Sequence, residues 1–138
     1  MCKLVKAYCI AKKAHKGQKD KGGKSYIKHP VYVAKRVKGK DAKIVALLHD
    51  TIEDTSITYD YIRLEFGYKI VEAVKVLTKD KSISYEEYIT RIKENDLARR
   101  VKIEDLKHNM DLRRLKEVTE EDLKRVEKYK HSLEILSD

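Results

Sequence analysis

The chain has no tryptophan, one phenylalanine, one proline and five glycines among 138 residues. So few helix breakers leave little room for long loops, and a mostly helical chain is expected. No apolar run approaches the roughly 20 residues needed to cross a bilayer, so no membrane segment is expected. Met1-Cys2-Lys3 leads straight into mixed apolar and basic residues, without the hydrophobic stretch of a signal peptide. Cysteine is also scarce: Cys2 and Cys9 are the only two. Seven apart on one helix, their Cα atoms would be about 10 Å apart, beyond the reach of a disulfide. They read as packing residues in a reducing cytoplasm, and no second pair exists to build a thiolate metal site.

Acidic residues are sparse at the start. Residues 1 to 43 hold 13 lysines against Asp20 and Asp41, and the whole chain carries a net charge of +9. Such a charge admits nucleic acid, nucleotides and phosphorylated small molecules as partners. Elsewhere the lysines are interleaved with glutamate on predicted solvent faces. That distribution suits a small-molecule nucleotide better than a dedicated nucleic-acid surface.

The length fits one domain, residues 1–138. Apolar spacing predicts a first helix over about 2–16, with Leu4, Val5, Tyr8, Cys9, Ala11 and His15 near one face. The segment Gly17 to Ser25 holds three glycines and three lysines and reads as a loop. Pro30 marks the first turn of a second helix that stops near Gly39. A third helix is expected from Lys40 through His49-Asp50 to Glu53-Asp54. Thr58, Ser84 and Thr119 read as N-caps of three further helices, the second with the S-x-x-E of a capping box ending at Glu87. Another helix is expected over Leu97–Leu115, and the last, strongly charged one ends near Leu136. Its default is to pack on its own domain, with a second copy of the chain, as a homo-oligomer, the alternative. The expected fold is an all-α bundle of about seven or eight short helices.

Chemistry concentrates at Leu47-Leu48-His49-Asp50-Thr51-Ile52-Glu53-Asp54. On a continuous helix His49 and Glu53 share one stripe, and Asp50 and Asp54 the next. With His29 and Asp105, the pair His49 and Asp50 offers two imidazoles and two carboxylates, a set suited to Mn²⁺, Fe²⁺ or Zn²⁺. Four protein ligands leave positions for water, which hydrolysis needs. Glu53 and Asp54 are candidates to handle that water's proton. Asn109, one turn after Asp105, can offer its amide to a substrate oxygen. Taken singly, His29 also fits a satisfied, partly buried side chain, and Asp105 a charge on a helix surface.

His29, then His49-Asp50, then Asp105 resembles the H…HD…D signature of the HD-domain phosphohydrolases. The words Ala14-His15-Lys16-Gly17-Gln18, Tyr26-Ile27-Lys28-His29-Pro30, Leu47-Leu48-His49-Asp50 with Glu53-Asp54-Thr55, and Asp105-Leu106-Lys107-His108-Asn109-Met110 are similar to the hydrolase domain of RelA/SpoT-like alarmone enzymes. The resemblance runs over about residues 5–115 and keeps these words in order. It implies an all-α HD domain with one Mn²⁺, removing the 3′-pyrophosphate from guanosine tetra- or pentaphosphate to give GDP or GTP. It also implies metal-ligand roles for His29, His49, Asp50 and Asp105, catalytic roles for Glu53 and Asp54, and substrate contact for Lys21 and Asn109.

The rim departs from that pattern. Asp20-Lys21 stands where alarmone hydrolases usually carry arginine and lysine, Ser25 where a proline is usual, and Leu112 where a small hydroxyl residue is usual. An aspartate beside a polyphosphate is expected to weaken binding. Two alternatives stay open: a nucleotidase or phosphomonoesterase acting on another nucleotide, and a non-enzymatic nucleotide-sensing module.

Overall fold

The computed structural model describes residues 2–138, and every side chain among them except that of Asp54. The first helix, α1 (Lys3–Ala14), buries Ala7 and Ala11 and places His15 at its C-cap. Its inward stripe is thus Leu4, Ala7 and Ala11, with His15 following, rather than the face through Val5, Tyr8 and Cys9. Small side chains win that face because they let the helix backbone approach its neighbour closely. Both cysteines are exposed, which corrects the expectation that they pack inside.

Helix α2 (Lys28–Arg36) carries Pro30 in its first turn, where a missing N–H costs no hydrogen bond. Gly39 then takes a φ of 93°, in the left-handed region open to glycine, and α3 (Lys40–Leu48) begins. Ala42 and the whole run Ile44 to Leu48 are buried, so α3 is apolar nearly all round. A helix of that kind belongs in the middle of a bundle.

The expected continuous helix to Asp54 does not form. His49 and Asp50 make a turn, with Asp50 at φ −101° and ψ 0°, before the single turn α4 (Thr51–Asp54). The Thr51 hydroxyl donates to the Leu48 carbonyl at 2.7 Å, occupying a helix-end acceptor that a continuing ladder would otherwise use. The stripe that paired His49 with Glu53 is therefore broken.

Helix α5 (Tyr59–Phe66) starts at the Thr58 cap and α6 (Tyr68–Leu77) follows Gly67. Helix α7 (Tyr85–Lys93) is capped by Ser84, whose side chain accepts from the Glu87 N–H. Helix α8 (Asp96–Asn109) is capped by Asn95 and stops well short of Leu115. A 3₁₀ turn, Leu112–Arg114, replaces its expected last turn because Asp111 caps that turn, accepting from the Arg113 N–H. Helix α9 (Glu120–Ser137) opens with a full capping box between Thr119 and Asp122.

Eight of these helices are eight residues or longer, and no strand ladder occurs among the described residues. The fold is the expected all-α bundle. Helix α3 sits against α1, α2, α6 and α8, while α9 lies along α7 and α8 of its own chain with Leu136 fully buried. No described helix is long and apolar enough to cross a membrane.

Candidate active site

Three buried side chains from three parts of the bundle converge: His29 at the start of α2, His49 just after α3, and Asp105 in the second half of α8. One ligand atom of each lies within 4.8 Å of the other two. His29 Nε2 is 2.7 Å, and His49 Nε2 3.4 Å, from the same oxygen, Asp105 Oδ1. Asp50 joins from the turn, with Oδ2 at 3.2 Å from His49 Nε2, and that oxygen also accepts from the Tyr26 hydroxyl.

The outward-facing atoms of these groups are held by other residues. His49 Nδ1 is 2.5 Å from the Ala46 carbonyl. A carbonyl can only accept, so Nδ1 carries a proton and Nε2 is the nitrogen turned to the centre. His29 Nδ1 lies 2.7 Å from His108 Nδ1, an arrangement that likewise presents Nε2 inward when His29 donates. Asp105 Oδ2 accepts from Lys102 at 3.0 Å, leaving Oδ1 to the centre. Imidazoles and a carboxylate fixed from behind, with their free atoms aimed at one point, are the arrangement that metal ligands require. The donor set of nitrogen and oxygen fits a borderline to hard divalent ion.

The electrostatics agree with that fit. Burial alone would push the His49 pKa down, but the Asp50 and Asp105 carboxylates overcome it and raise the pKa to about 9. Burial likewise opposes the charge on Asp105, yet Lys102, His29 and His49 hold its carboxyl well below the usual range. Two carboxylates thus act on this centre and favour positive charge there. His108 behaves in the opposite way: burial, Arg114 and His29 push its pKa down to about 4, so it stays neutral beside His29.

Next to this centre lies a cavity of about 300 Å³ that reaches His29 and Tyr26 at one end. Lys19, Asp20, Lys21 and Gly22 line it from the loop, Asn109 from the end of α8, Arg114 from the 3₁₀ turn beyond it, and Arg125 and Tyr129 from α9. The expected substrate residues Lys21 and Asn109 therefore share one wall-to-wall space with a metal-ligand candidate. Asn109 Nδ2 donates to Asp105 Oδ1 at 3.2 Å, so its amide is tied to the centre. The Lys21 pKa is lowered by burial and by the nearby charge of Arg125.

Asp20 does not face the cavity as a bare anion. Its Oδ1 accepts from the N–H groups of Gly22 and Lys24, and its Oδ2 pairs with Arg114 at 3.3 Å. Burial works to raise its pKa, but these partners outweigh it and lower the value. Leu112 also lines the cavity, and Ser25 is exposed in the loop.

Glu53 is exposed on the α4 turn, where its carboxylate accepts from the Lys79 N–H at 3.0 Å. The Asp54 side chain lies outside the described residues. Several residues of this neighbourhood were not anticipated. Lys102 and His108 flank Asp105 at i−3 and i+3, a spacing that marks them on the same helix stripe. Tyr26, Arg114, Arg125 and Tyr129 come from other elements, and no local spacing points to them.

The HD-domain family profile matches residues 7–133. The chain belongs to the HD-domain family. Among curated proteins, it is similar to the guanosine-3′,5′-bis(diphosphate) 3′-pyrophosphohydrolase of Aquifex aeolicus, at 42% identity over 87 residues, covering 60% of this chain and 12% of that protein. It is 36% identical over 89 residues to the bifunctional (p)ppGpp synthase/hydrolase SpoT of Escherichia coli, covering 62% of this chain and 13% of SpoT. The human guanosine-3′,5′-bis(diphosphate) 3′-pyrophosphohydrolase MESH1 is 39% identical over 89 residues, covering 58% of this chain and 49% of MESH1. The match spans at most about half the length of these relatives. A solved structure of a metazoan ortholog of SpoT, described as hydrolysing ppGpp, superposes with a TM-score of 0.78 at 22% identity, covering 99% of this chain and 85% of that one. At that identity the likeness establishes the fold.

Proposed function

We propose that this chain is a metal-dependent phosphohydrolase that removes the 3′-pyrophosphate from guanosine tetra- or pentaphosphate, releasing GDP or GTP and pyrophosphate in the cytoplasm. The observation that carries this reading is the convergence of His29 Nε2, His49 Nε2 and Asp105 Oδ1 beside a cavity lined by Lys19, Lys21, Arg114 and Arg125. The names of the curated relatives supply the substrate.

His29, His49, Asp50 and Asp105 would hold the ion, Mn²⁺ first and Zn²⁺ or Fe²⁺ as alternates. A divalent ion in such a set makes water a stronger nucleophile at neutral pH and offsets charge developing on phosphoryl oxygens. The protein does the rest. Lys21 and the other cations of the cavity hold the phosphates, and Asn109 offers its amide to a substrate oxygen. Glu53 and Asp54 take up the proton of the attacking water and return one to the departing ribose oxygen. The water oxygen bonds to the phosphorus next to the 3′-oxygen, and the bond from that phosphorus to the 3′-oxygen breaks. Neutral His108 and the Ala46 carbonyl keep both imidazoles in the tautomer that faces the centre.

The test is a panel of nucleotides incubated with protein loaded with Mn²⁺, with Zn²⁺, or stripped by chelator. Pyrophosphate released from guanosine tetraphosphate, lost on stripping and in Asp54→Asn, is the expected result. Orthophosphate released from another nucleotide would replace this reading with a nucleotidase, and no release from any nucleotide would point to a sensing module.

A further inference from the structure

The cavity lining carries more cations than carboxylates. Lys19, Lys21, Arg114 and Arg125 line the cavity together with Asp20, Asp111 and Asp122. Each of the three carboxylates already accepts from a nearby backbone N–H and from an arginine. Asp20 caps Gly22 and Lys24, Asp111 takes the Arg113 N–H and guanidinium, and Asp122 closes the capping box of α9 and pairs with Arg125. Four cations against three carboxylates, each of which already holds its own donors, leave a net positive charge in the space, which suits a phosphate.

Arg114 is the cation best placed to use it. It sits on the 3₁₀ turn yet reaches both the end of α8 and the loop at Asp20. One terminal nitrogen donates to the His108 carbonyl at 3.0 Å and approaches Asn109 Oδ1 at 3.4 Å, while the other pairs with Asp20 at 3.3 Å. A guanidinium has five N–H donors, and these contacts use at most three. The side chain keeps 24% of its surface exposed. The loop is pressed against the same turn: a Cβ on Gly22 would stand 2.2 Å from the Arg114 carbonyl oxygen. Arg114 is thus held in one place from two sides, with donors to spare.

We propose that Arg114 is a phosphate-binding residue of this site, and that Asp20 is the positioning residue that aims it. The aspartate that sequence alone casts as a repellent beside a polyphosphate instead anchors a guanidinium contributed by a distant turn. The inference rests on the reading of the cavity as a nucleotide site, and names the residue that selects for phosphate there.

The probes are GDP and inorganic pyrophosphate, titrated calorimetrically into the Mn²⁺-loaded protein at several salt concentrations. Arg114→Gln should weaken binding of one or both by about tenfold or more, the loss of a charge-assisted hydrogen bond. It should also flatten the salt dependence, since one fewer cation meets the anion. Arg114→Lys keeps the charge without the fork and should retain the salt dependence at intermediate affinity. Lys124→Gln, an exposed charge on α9, should change neither. Thermal melting of each variant separates misfolding from lost contact. A folded Arg114→Gln with wild-type affinity for both probes, or with weaker binding and an unchanged salt dependence, overturns the proposal, as does wild type that binds neither probe. Wild type that binds GDP through Arg114 but cleaves no guanosine tetraphosphate would overturn the proposed reaction and leave this inference standing.

Discussion

The imidazoles of His29 and His108 lie in planes 4° apart, with their Nδ1 atoms 2.7 Å from one another. Tyr32 stacks on the His108 ring with centroids 3.8 Å apart, and the Arg36 guanidinium covers Tyr32 at 4.3 Å. The His29 ring is thus held through both nitrogens, by His108 on one side and Asp105 on the other. His108→Phe should keep the stack and remove the acceptor. The expected result is Mn²⁺ affinity lower by about 10- to 100-fold with nearly unchanged melting, read from the electron paramagnetic resonance of free Mn²⁺ during titration. Unaltered affinity would show that the Nδ1 contact does not set the ligand.

Lys102 does for Asp105 what His108 does for His29. Burial opposes the Lys102 ammonium, but Asp105 outweighs it and keeps the lysine charged. Removing the lysine leaves a buried carboxylate without its partner, and breaking such a pair costs about 3–5 kcal/mol. Lys102→Met should lower the denaturant midpoint accordingly. Added Mn²⁺ should recover more stability in this variant than in wild type, because a bound cation restores charge beside Asp105. Equal Mn²⁺ stabilisation in both proteins would argue against Asp105 as a ligand.

The caps at Thr58, Ser84 and Thr119 were legible in the sequence because each depends on a side chain and an N–H three residues away, and Pro30 because its ring fits only a first helical turn. His29, His49 and Asp105 were legible as ligand types, although their convergence needed the bundle. The break at His49-Asp50 was not, since Leu48-His49-Asp50-Thr51 has no proline or glycine to announce it. Nor was the role of Asp20. Its partner Arg114 is 94 positions away, and no local pattern distinguishes an aspartate that caps a loop from one that faces solvent.

Gly22 fixes how closely the loop meets the 3₁₀ turn. A Cβ there would stand 2.2 Å from the Arg114 carbonyl oxygen, so it must displace backbone rather than a flexible side chain. Gly22→Ala should push the loop outward and destabilise the protein by about 1–3 kcal/mol, the usual cost of overpacking. Nucleotide affinity should fall with it, because Asp20 and Lys21 move with the loop. Gly23→Ala next door, a glycine at φ 84°, strains its own backbone and meets only the flexible Lys116 side chain. Comparing the two by thermal melting and GDP titration separates backbone strain from loop displacement: only Gly22→Ala should lose affinity beyond what its melting shift explains.

The Asp20 contact to Arg114 makes the loop sensitive to acid. In the unfolded chain the carboxyl has its ordinary pKa of 3.8, and in the folded protein the value lies lower. The folded state binds this proton less readily, so the contact's contribution is complete above 3.8 and fades as pH falls through the folded value. Amide resonances of Gly22 and Lys24, whose N–H groups donate to Asp20, should therefore titrate with a midpoint below 3.8. Asp20→Asn should abolish that transition, and Arg114→Gln should move the midpoint upward because a guanidinium no longer favours the carboxylate. A wild-type midpoint at or above the ordinary value would mean that burial of Asp20 outweighs its donors, and the loop would then be held by something other than this charge.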